Sequence, residues 1–441
     1  MKSTFLVVGL LSLAVASQAE LLRFKLQRTD AGQSHSSFQE YDDLAQKGLG
    51  KSSRSHYHRN YRQFSHLGGH DLYTMDVSLG SPGQIFNVQI ATGTSNLWIP
   101  SSKCSSPTCR LHPQFNSSNS WSFRPLGDHF NIPTFNPYNY HHHHYSCGQR
   151  GEGYEANGKG ELSGTVGEDT LSIGGGVIEI LGQLFGEVVQ EHGGGLKSAL
   201  HDDQVDGVLG LGFDARAATG RPFLLNLVDH DLLQRAVFGV YLSRHDDDDN
   251  GDESIIGGSQ LTLGGLDPTH RLGDIQWHEV TRTAQGQWAI ELTAFALRRE
   301  AFEIDGQAVI DTGFPYIALT RYQAEMINLQ IGASETSPGS GVYELPCRNV
   351  LTLFDFIILF GLEEYQLKGH EYVLRPSSKD DGRNGTQGLR MTRKEMCQSA
   401  IVGMDFSKES GVIAVFGQVF MRKYYSAYDL EHHRIGFALA S

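Results

Sequence analysis

From Leu72 onward the chain alternates between apolar and polar residues in short steps. Phe86, Val88 and Ile90 are separated by Asn87 and Gln89, the period-two pattern of a strand with one buried face. Comparable short runs recur at Thr170 to Ile173, Gly239 to Leu242 and Thr262 to Gly264. Helical spacing is confined to two stretches. Phe223 to Arg235 places Leu224, Leu227, Val228 and Leu232 on one face, and Thr320 to Leu329 forms the other. The pattern predicts an all-β body with a few short helices.

Ahead of that body the character differs. Residues 20–64 are polar, with clustered Ser, His, Arg and Tyr and little apolar periodicity. Before them, Met1-Lys2 precedes an apolar run from Phe5 to Ala16, and Ser17-Gln18-Ala19 offers small residues at the cleavage positions. Residues 1–19 therefore read as a signal peptide and 20–64 as a removable prosegment. The apolar run is too short to span a bilayer, and no later one reaches roughly 18 residues. Val350 to Leu362 is broken by Asp355 and reads as a buried segment. The chain is expected to be secreted or lumenal, with no membrane partner. In such a compartment Asn116-Ser117-Ser118 and Asn384-Gly385-Thr386 fit the glycosylation sequon, which makes Asn116 and Asn384 candidate acceptors.

Composition sharpens this reading. Glycine supplies 51 of 441 residues and proline only 13, a balance that suits many strands joined by tight turns and excludes collagen or proline-rich disorder. The net charge of −14 argues against a nucleic-acid partner. Charge is also uneven: residues 1–64 carry nine Lys/Arg against five acids, a net of +4, which leaves −18 on the rest. A basic leading segment beside an acidic body suggests electrostatic docking of one on the other. The 20 histidines would move the whole chain from −14 to +6 if all were protonated, so mild acid changes its surface greatly.

A weak internal repeat carries the most information. Gln89-Ile90-Ala91-Thr92-Gly93 resembles Val309-Ile310-Asp311-Thr312-Gly313, 220 residues later. Val208-Leu209-Gly210 follows the first copy by about 119 residues and Val415-Phe416-Gly417 the second by about 106. Two short matches in the same order at similar spacing imply two similar lobes.

With these residues the chain resembles the pepsin-like aspartic peptidases over roughly residues 70–441. The matching stretches are Ala91-Thr92-Gly93-Thr94-Ser95-Asn96-Leu97-Trp98-Ile99-Pro100-Ser101, Asp206-Gly207-Val208-Leu209-Gly210-Leu211-Gly212-Phe213, Asp311-Thr312-Gly313 and Phe416-Gly417-Gln418-Val419-Phe420-Met421-Arg422. The resemblance implies a bilobal all-β fold, an N-terminal lobe over 65–236 and a C-terminal lobe over 237–441, around a central cleft that receives a peptide or protein. It implies no cofactor and no metal. It also implies disulfides Cys104–Cys109 and Cys347–Cys397, with Cys147 left over, and cleft residues Thr92, Gly93, Thr94, Trp98, Thr312, Gly313 and Phe314.

The same resemblance exposes what is missing. Such peptidases cleave with two carboxylates, one from each lobe, which share one proton so that one activates water while the other donates to the carbonyl. Asp311 supplies one; the other position is Ala91, whose methyl can neither take a proton nor hold charge. Asp76, the nearest upstream acid, belongs to the preceding strand. Phe314 stands where a small hydroxyl residue is usual. The flap tip should fall between Ile132 and Gly160, but an insert from Pro133 to Lys159 with His141 to His144, Cys147 and Tyr138, Tyr140, Tyr145 and Tyr154 occupies that place. By either alignment the flap tyrosine becomes Thr134 or Asn157.

Three functions follow as expectations. The leading one is an impaired pseudopeptidase that binds peptide or protein in the cleft, its prosegment removed by another protease because self-processing needs both carboxylates. Lys47 or Lys51 would face the remaining carboxylate. The alternatives are an active aspartic endopeptidase using Asp311 and an unidentified second acid, and a secreted interaction or metal-binding protein using the His-rich insert. The four-His run itself reads as a solvated loop. Asp246 to Asp249 mimic a calcium loop, but the twelfth position is Gly257 rather than Glu, so this is read as an acidic hairpin tip.

Overall fold

The computed structural model describes residues 21–30, 71–133, 145–146, 155–156, 160–192, 205–214, 217–243, 258–281, 286–298, 300–375, 396–406 and 411–441. Strands dominate, arranged mainly in an eight-stranded N-terminal sheet, a seven-stranded C-terminal sheet and a six-stranded sheet that draws on both ends of the chain.

The internal repeat is a repeated strand topology. In the N-terminal lobe, Gln84–Ala91 pairs in parallel with Gly207–Gly210, which pairs antiparallel with Leu97–Pro100, itself parallel to Ile178–His192. In the C-terminal lobe, Glu300–Ile310 pairs in parallel with Val412–Phe416, which pairs antiparallel with Ile317–Thr320, itself parallel to Ile401–Met404. Each lobe thus inserts a late strand between two early ones, and the turn joining the early pair is pressed against it. The close approach explains the recurrent glycine at the end of the late strand. A Cβ on Gly210 would lie 2.6 Å from Asn96 N, and one on Gly417 would lie 1.9 Å from Phe314 O.

The six-stranded sheet runs in the order Leu22–Lys25, Gln260–Leu263, Val237–Tyr241, Tyr424–Asp429, Arg434–Ala440, Arg271–Glu279. Its inner face contributes Phe238 and Tyr428, stacked at 4.4 Å, and Trp288 packs edge-on against both. Trp288 is wholly buried and donates its indole N–H to Leu211 O at 2.8 Å, tying the two lobes through one core.

The first helix is shorter than the apolar spacing suggests, and the second has the expected length. The first ends at Asp229 rather than Arg235. Asp231 adopts φ +53°, its N–H bonds Val228 O, and the Leu232 N–H bonds Leu227 O. This is the left-handed helix stop usually built on glycine, here built on an aspartate. The second runs Arg321–Gln330, with Thr320 as N-cap and Gln323 completing a capping box. Among the described residues no helix is long and apolar enough to cross a membrane.

The chain's leading strand is part of the fold. Leu22–Lys25 pairs with Gln260–Leu263, and Gln27–Asp30 pairs with Asp71–Leu79. Phe24 and Leu26 are buried. Arg23 Nε meets the buried carboxylate of Asp267 at 2.5 Å. Burial pushes the Asp267 carboxyl up, but the hydrogen bonds from Arg23, Thr269 and Gln260 outweigh it and hold the group well below the usual carboxylate range.

Arg23→Met should therefore lower the stability of the full chain by about 1–3 kcal/mol at neutral pH, the usual cost of stripping a partner from a buried carboxylate. A depressed carboxyl contributes its stability above the unfolded pKa and loses it as pH falls, so the gap to wild type should shrink below about pH 4. Thermal unfolding of both chains at pH 7 and pH 3 checks this; equal stability at pH 7 would show that the pair does not hold the strand.

Candidate active site

Ala91 ends the strand Gln84–Ala91, and Asp311 follows directly on Glu300–Ile310, each opening a sharp turn. The next residues of the two turns bind each other reciprocally. The Thr92 N–H donates to Thr312 Oγ1 at 3.0 Å, and the Thr312 N–H donates to Thr92 Oγ1 at 3.0 Å. The Thr92 hydroxyl donates to Ile310 O at 2.9 Å, and that of Thr312 to Ile90 O at 2.9 Å. Matching distances mark a local twofold relation, with Ala91 at the image of Asp311. Gln89 and Gln418 reinforce the junction, donating to Gly313 O at 3.2 Å and Thr312 O at 3.0 Å.

Asp311 is only 8% exposed. Its Oδ1 accepts the Gly313 N–H at 2.8 Å and the Gly93 N–H at 3.0 Å, so one carboxyl holds an amide from each lobe. Its Oδ2 lies beside Gly93, where an added Cβ would come within 2.3 Å of it. Burial pushes the Asp311 carboxyl up; the Gly313 and Gly93 amides oppose that rise without cancelling it.

On the opposite side Ala91 is 7% exposed, and its methyl belongs to an apolar cluster with Trp98, Phe130 and Val208. The next acid on the neighbouring strand, Asp76, is exposed and accepts from Asn87 Nδ2 at 3.0 Å. It pairs opposite Asn87, four residues or about 13 Å along the strand from Ala91. Asp76 is therefore not brought to the turn at Ala91.

The remaining sequence-derived positions divide into two groups. Thr92, Gly93, Thr312 and Gly313 are brought together around Asp311. Thr94 is half-buried, its hydroxyl accepting the Asn96 N–H at 3.2 Å. Trp98 is buried beneath the turn. The Phe314 ring is also buried, edge-on to Tyr316 at 6.1 Å, while its carbonyl accepts the Gln418 N–H at 2.8 Å. Phe314 contributes to the site through its main chain and through packing.

Cys104–Cys109 and Cys347–Cys397 are disulfide-bonded. Asn116 is half-buried and its side chain accepts the Ser118 N–H at 3.1 Å. The flap arms pair from Arg124 to Pro133 against Glu161 to Glu168, with a further rung at Tyr145–Ser146 against Glu155–Ala156. The side chains of His141 to His144, Cys147, Thr134 and Asn157, the stretch Asp246 to Asp249, Asn384, Lys47, Lys51 and the signal segment lie outside the described residues.

One residue of the site carries no sequence signal. Tyr428 is wholly buried beneath the two turns, and burial pushes its hydroxyl up, with Ser426 and Thr92 opposing and the charge of Asp311 adding to the rise. It sits in an apolar strand pattern and reads there as core.

Two x-Thr-Gly turns, each pressed against its own late strand and joined by reciprocal threonines, define the architecture of an aspartic protease of the pepsin type. The chain belongs to this family: the family model for eukaryotic aspartyl protease matches residues 72–440. It is 30% identical over 457 residues to the "Probable vacuolar protease A" of Arthroderma benhamiae, with all of both chains covered. It is 33% identical over 371 residues to cathepsin E of Rattus norvegicus, covering 83% of this chain and 80% of that one. It is 33% identical over 370 residues to vacuolar protease A of Aspergillus fumigatus, covering 83% of this chain and 79% of that one.

Thr92→Val should remove two of the four reciprocal bonds and strand the buried Thr312 N–H and Ile310 carbonyl, costing about 2–4 kcal/mol. Chemical denaturation of the full chain measures it. A loss below about 0.5 kcal/mol would mean that the lobes are held elsewhere.

Proposed function

We propose that this chain binds a peptide or protein in its cleft and hydrolyses it poorly or not at all. Ala91 at the twofold image of Asp311 carries the reading. Amide hydrolysis by this architecture needs a base to take a proton from water and, at the same moment, an acid to give one to the carbonyl. The burial of Asp311 favours its neutral form in mild acid, which suits the acid role. The methyl of Ala91 supplies no base, and Asp76 is too far away. Removing one member of such a unit generally costs about 10³-fold or more in rate. The clasp and Gly93 keep the turn that would present a peptide to Asp311, so binding outlives the chemistry.

The competing reading, an active endopeptidase working through Asp311 and another acid, draws support from the names of the relatives, all proteases. A metal-binding role for the His-rich insert rests on residues outside those described. The relatives named vacuolar protease A suit a lumenal or secreted protein. The leading reading also requires that the 20–64 segment be removed by another protease, and a purified chain that shortened itself at acid pH would count against it.

The deciding experiment is acid-pH cleavage of a denatured protein by the mature chain, beside Ala91→Asp and Ala91→Asp/Asp311→Asn. The expected result is a silent native chain, a gain of at least about 10³-fold in Ala91→Asp, and loss of that gain in the double variant. Cleavage by the native chain that disappears in Asp311→Asn would overturn the proposal.

A further inference from the structure

The twofold relation between the turns says what the vacant side of the site can hold. The place beside Gly93 is filled by the Asp311 carboxyl, whose Oδ2 and Cγ would lie 2.3 and 2.4 Å from an added Cβ. At the image place beside Gly313, an added Cβ meets the Ala91 methyl at 2.9 Å and Asp311 Oδ1 at 3.2 Å. The difference between the two places is a missing carboxyl group. Both Ala91 and Asp311 retain some exposure, and Gly313 is half-exposed.

We infer that this place receives a carboxylate carried by the ligand, an acidic side chain or a free chain end, set beside Asp311 so that the two groups share one proton. The inference rests on the peptide-binding reading above and names the chemistry that the cleft selects.

Asp311 Oδ1 is already occupied by two amides, so a proton on Oδ2 is what the carboxyl has left to offer. The side opposite is the Ala91 methyl, which packs into a buried apolar cluster with Trp98, Phe130 and Val208. A bare anion there is penalised by desolvation and becomes acceptable when it accepts a short, charge-assisted O–H bond. A neutral amide on the ligand can accept the same proton, but the bond is roughly half as strong. The charge cost is also modest: one proton and two carboxyl groups leave a single net charge, the state that paired carboxyls prefer.

The neighbouring ionisable groups do not compete. Tyr428, packed beneath, keeps its proton because burial pushes its hydroxyl up. Asp206, immediately before the strand Gly207–Gly210, accepts the Asn87 N–H at 2.8 Å and has His112 at 3.9 Å. Preference for a carboxylate should be greatest in mild acid, while Asp311 holds its proton, and should fall as Asp311 ionises.

The test uses the mature chain of the native protein, Ala91→Asp and Asp311→Ala, each shown to unfold cooperatively. Binding is measured by titration calorimetry at pH 4.5 and pH 7.5 with apolar octapeptides. In one set Glu replaces Gln at each position in turn; in the other a C-terminal acid replaces the amide. Native protein should favour one acid form over its amide by about 10- to 100-fold at pH 4.5, and the set showing the preference identifies its source. The preference should vanish in both variants, in Ala91→Asp because the place is filled. Equal affinities in the native chain, or a preference that persists in Ala91→Asp, overturn the inference while leaving cleft binding intact. If no peptide binds, the peptide-binding reading fails separately, and acetate becomes the probe. A rise in Tm with millimolar acetate at pH 4.5, confined to the native chain, would still support the carboxylate site; no rise would overturn it.

Discussion

The reciprocal clasp between Thr92 and Thr312 is the constraint on which the site depends. It is built from main-chain groups and two hydroxyls, all buried, and none belongs to a carboxylate. The lobes can therefore lose a carboxyl without losing their register. This separates the geometry of the site from its chemistry. The twofold relation survives in the backbone while the side chains at Ala91 and Asp311 break it.

Breaking that symmetry also changes the electrostatics. In a symmetric pair the dominant influence on each carboxyl is the other, because two like charges at contact cannot both ionise. Here that repulsion is absent, and burial alone raises Asp311, against two amides that lower it. The Gly93 amide comes from the opposite lobe. With the Gly313 amide it holds Oδ1 of Asp311 from both lobes and steadies the carboxyl in one orientation.

Much of this was legible in the sequence, for identifiable reasons. Period-two alternation marks strands because one face is buried, and the glycine closing each late strand marks a crossing chain, so two lobes and the position of Asp311 could be read at a spacing of 220 residues. The helix ending at Asp229 could not, since an aspartate in the left-handed conformation leaves no glycine to signal it. Tyr428 and Trp288 look like ordinary core in a linear pattern. Only the three-dimensional sheet places one beneath Asp311 and ties the other across the lobes to Leu211. Phe314, suggestive as a cleft residue because of its position after Gly313, turns its ring inward against Tyr316.

The six-stranded sheet carries the last step. It collects strands from residues 22–25, 237–279 and 424–440, so neither lobe is complete without chain from far away in sequence. Its leading strand is held by four paired residues, by burial of Phe24 and Leu26, and by the Arg23–Asp267 pair. A peptide bond cut anywhere between residues 31 and 70 breaks none of these contacts. Removing the strand is a separate event with its own cost: Leu261 and Leu263 would lose their cover, and the Gln260–Leu263 backbone would become an unpaired sheet edge. Covalent cleavage in that stretch would therefore not by itself release the strand. The buried carboxylate of Asp267 favours retention of the strand for as long as it stays ionised.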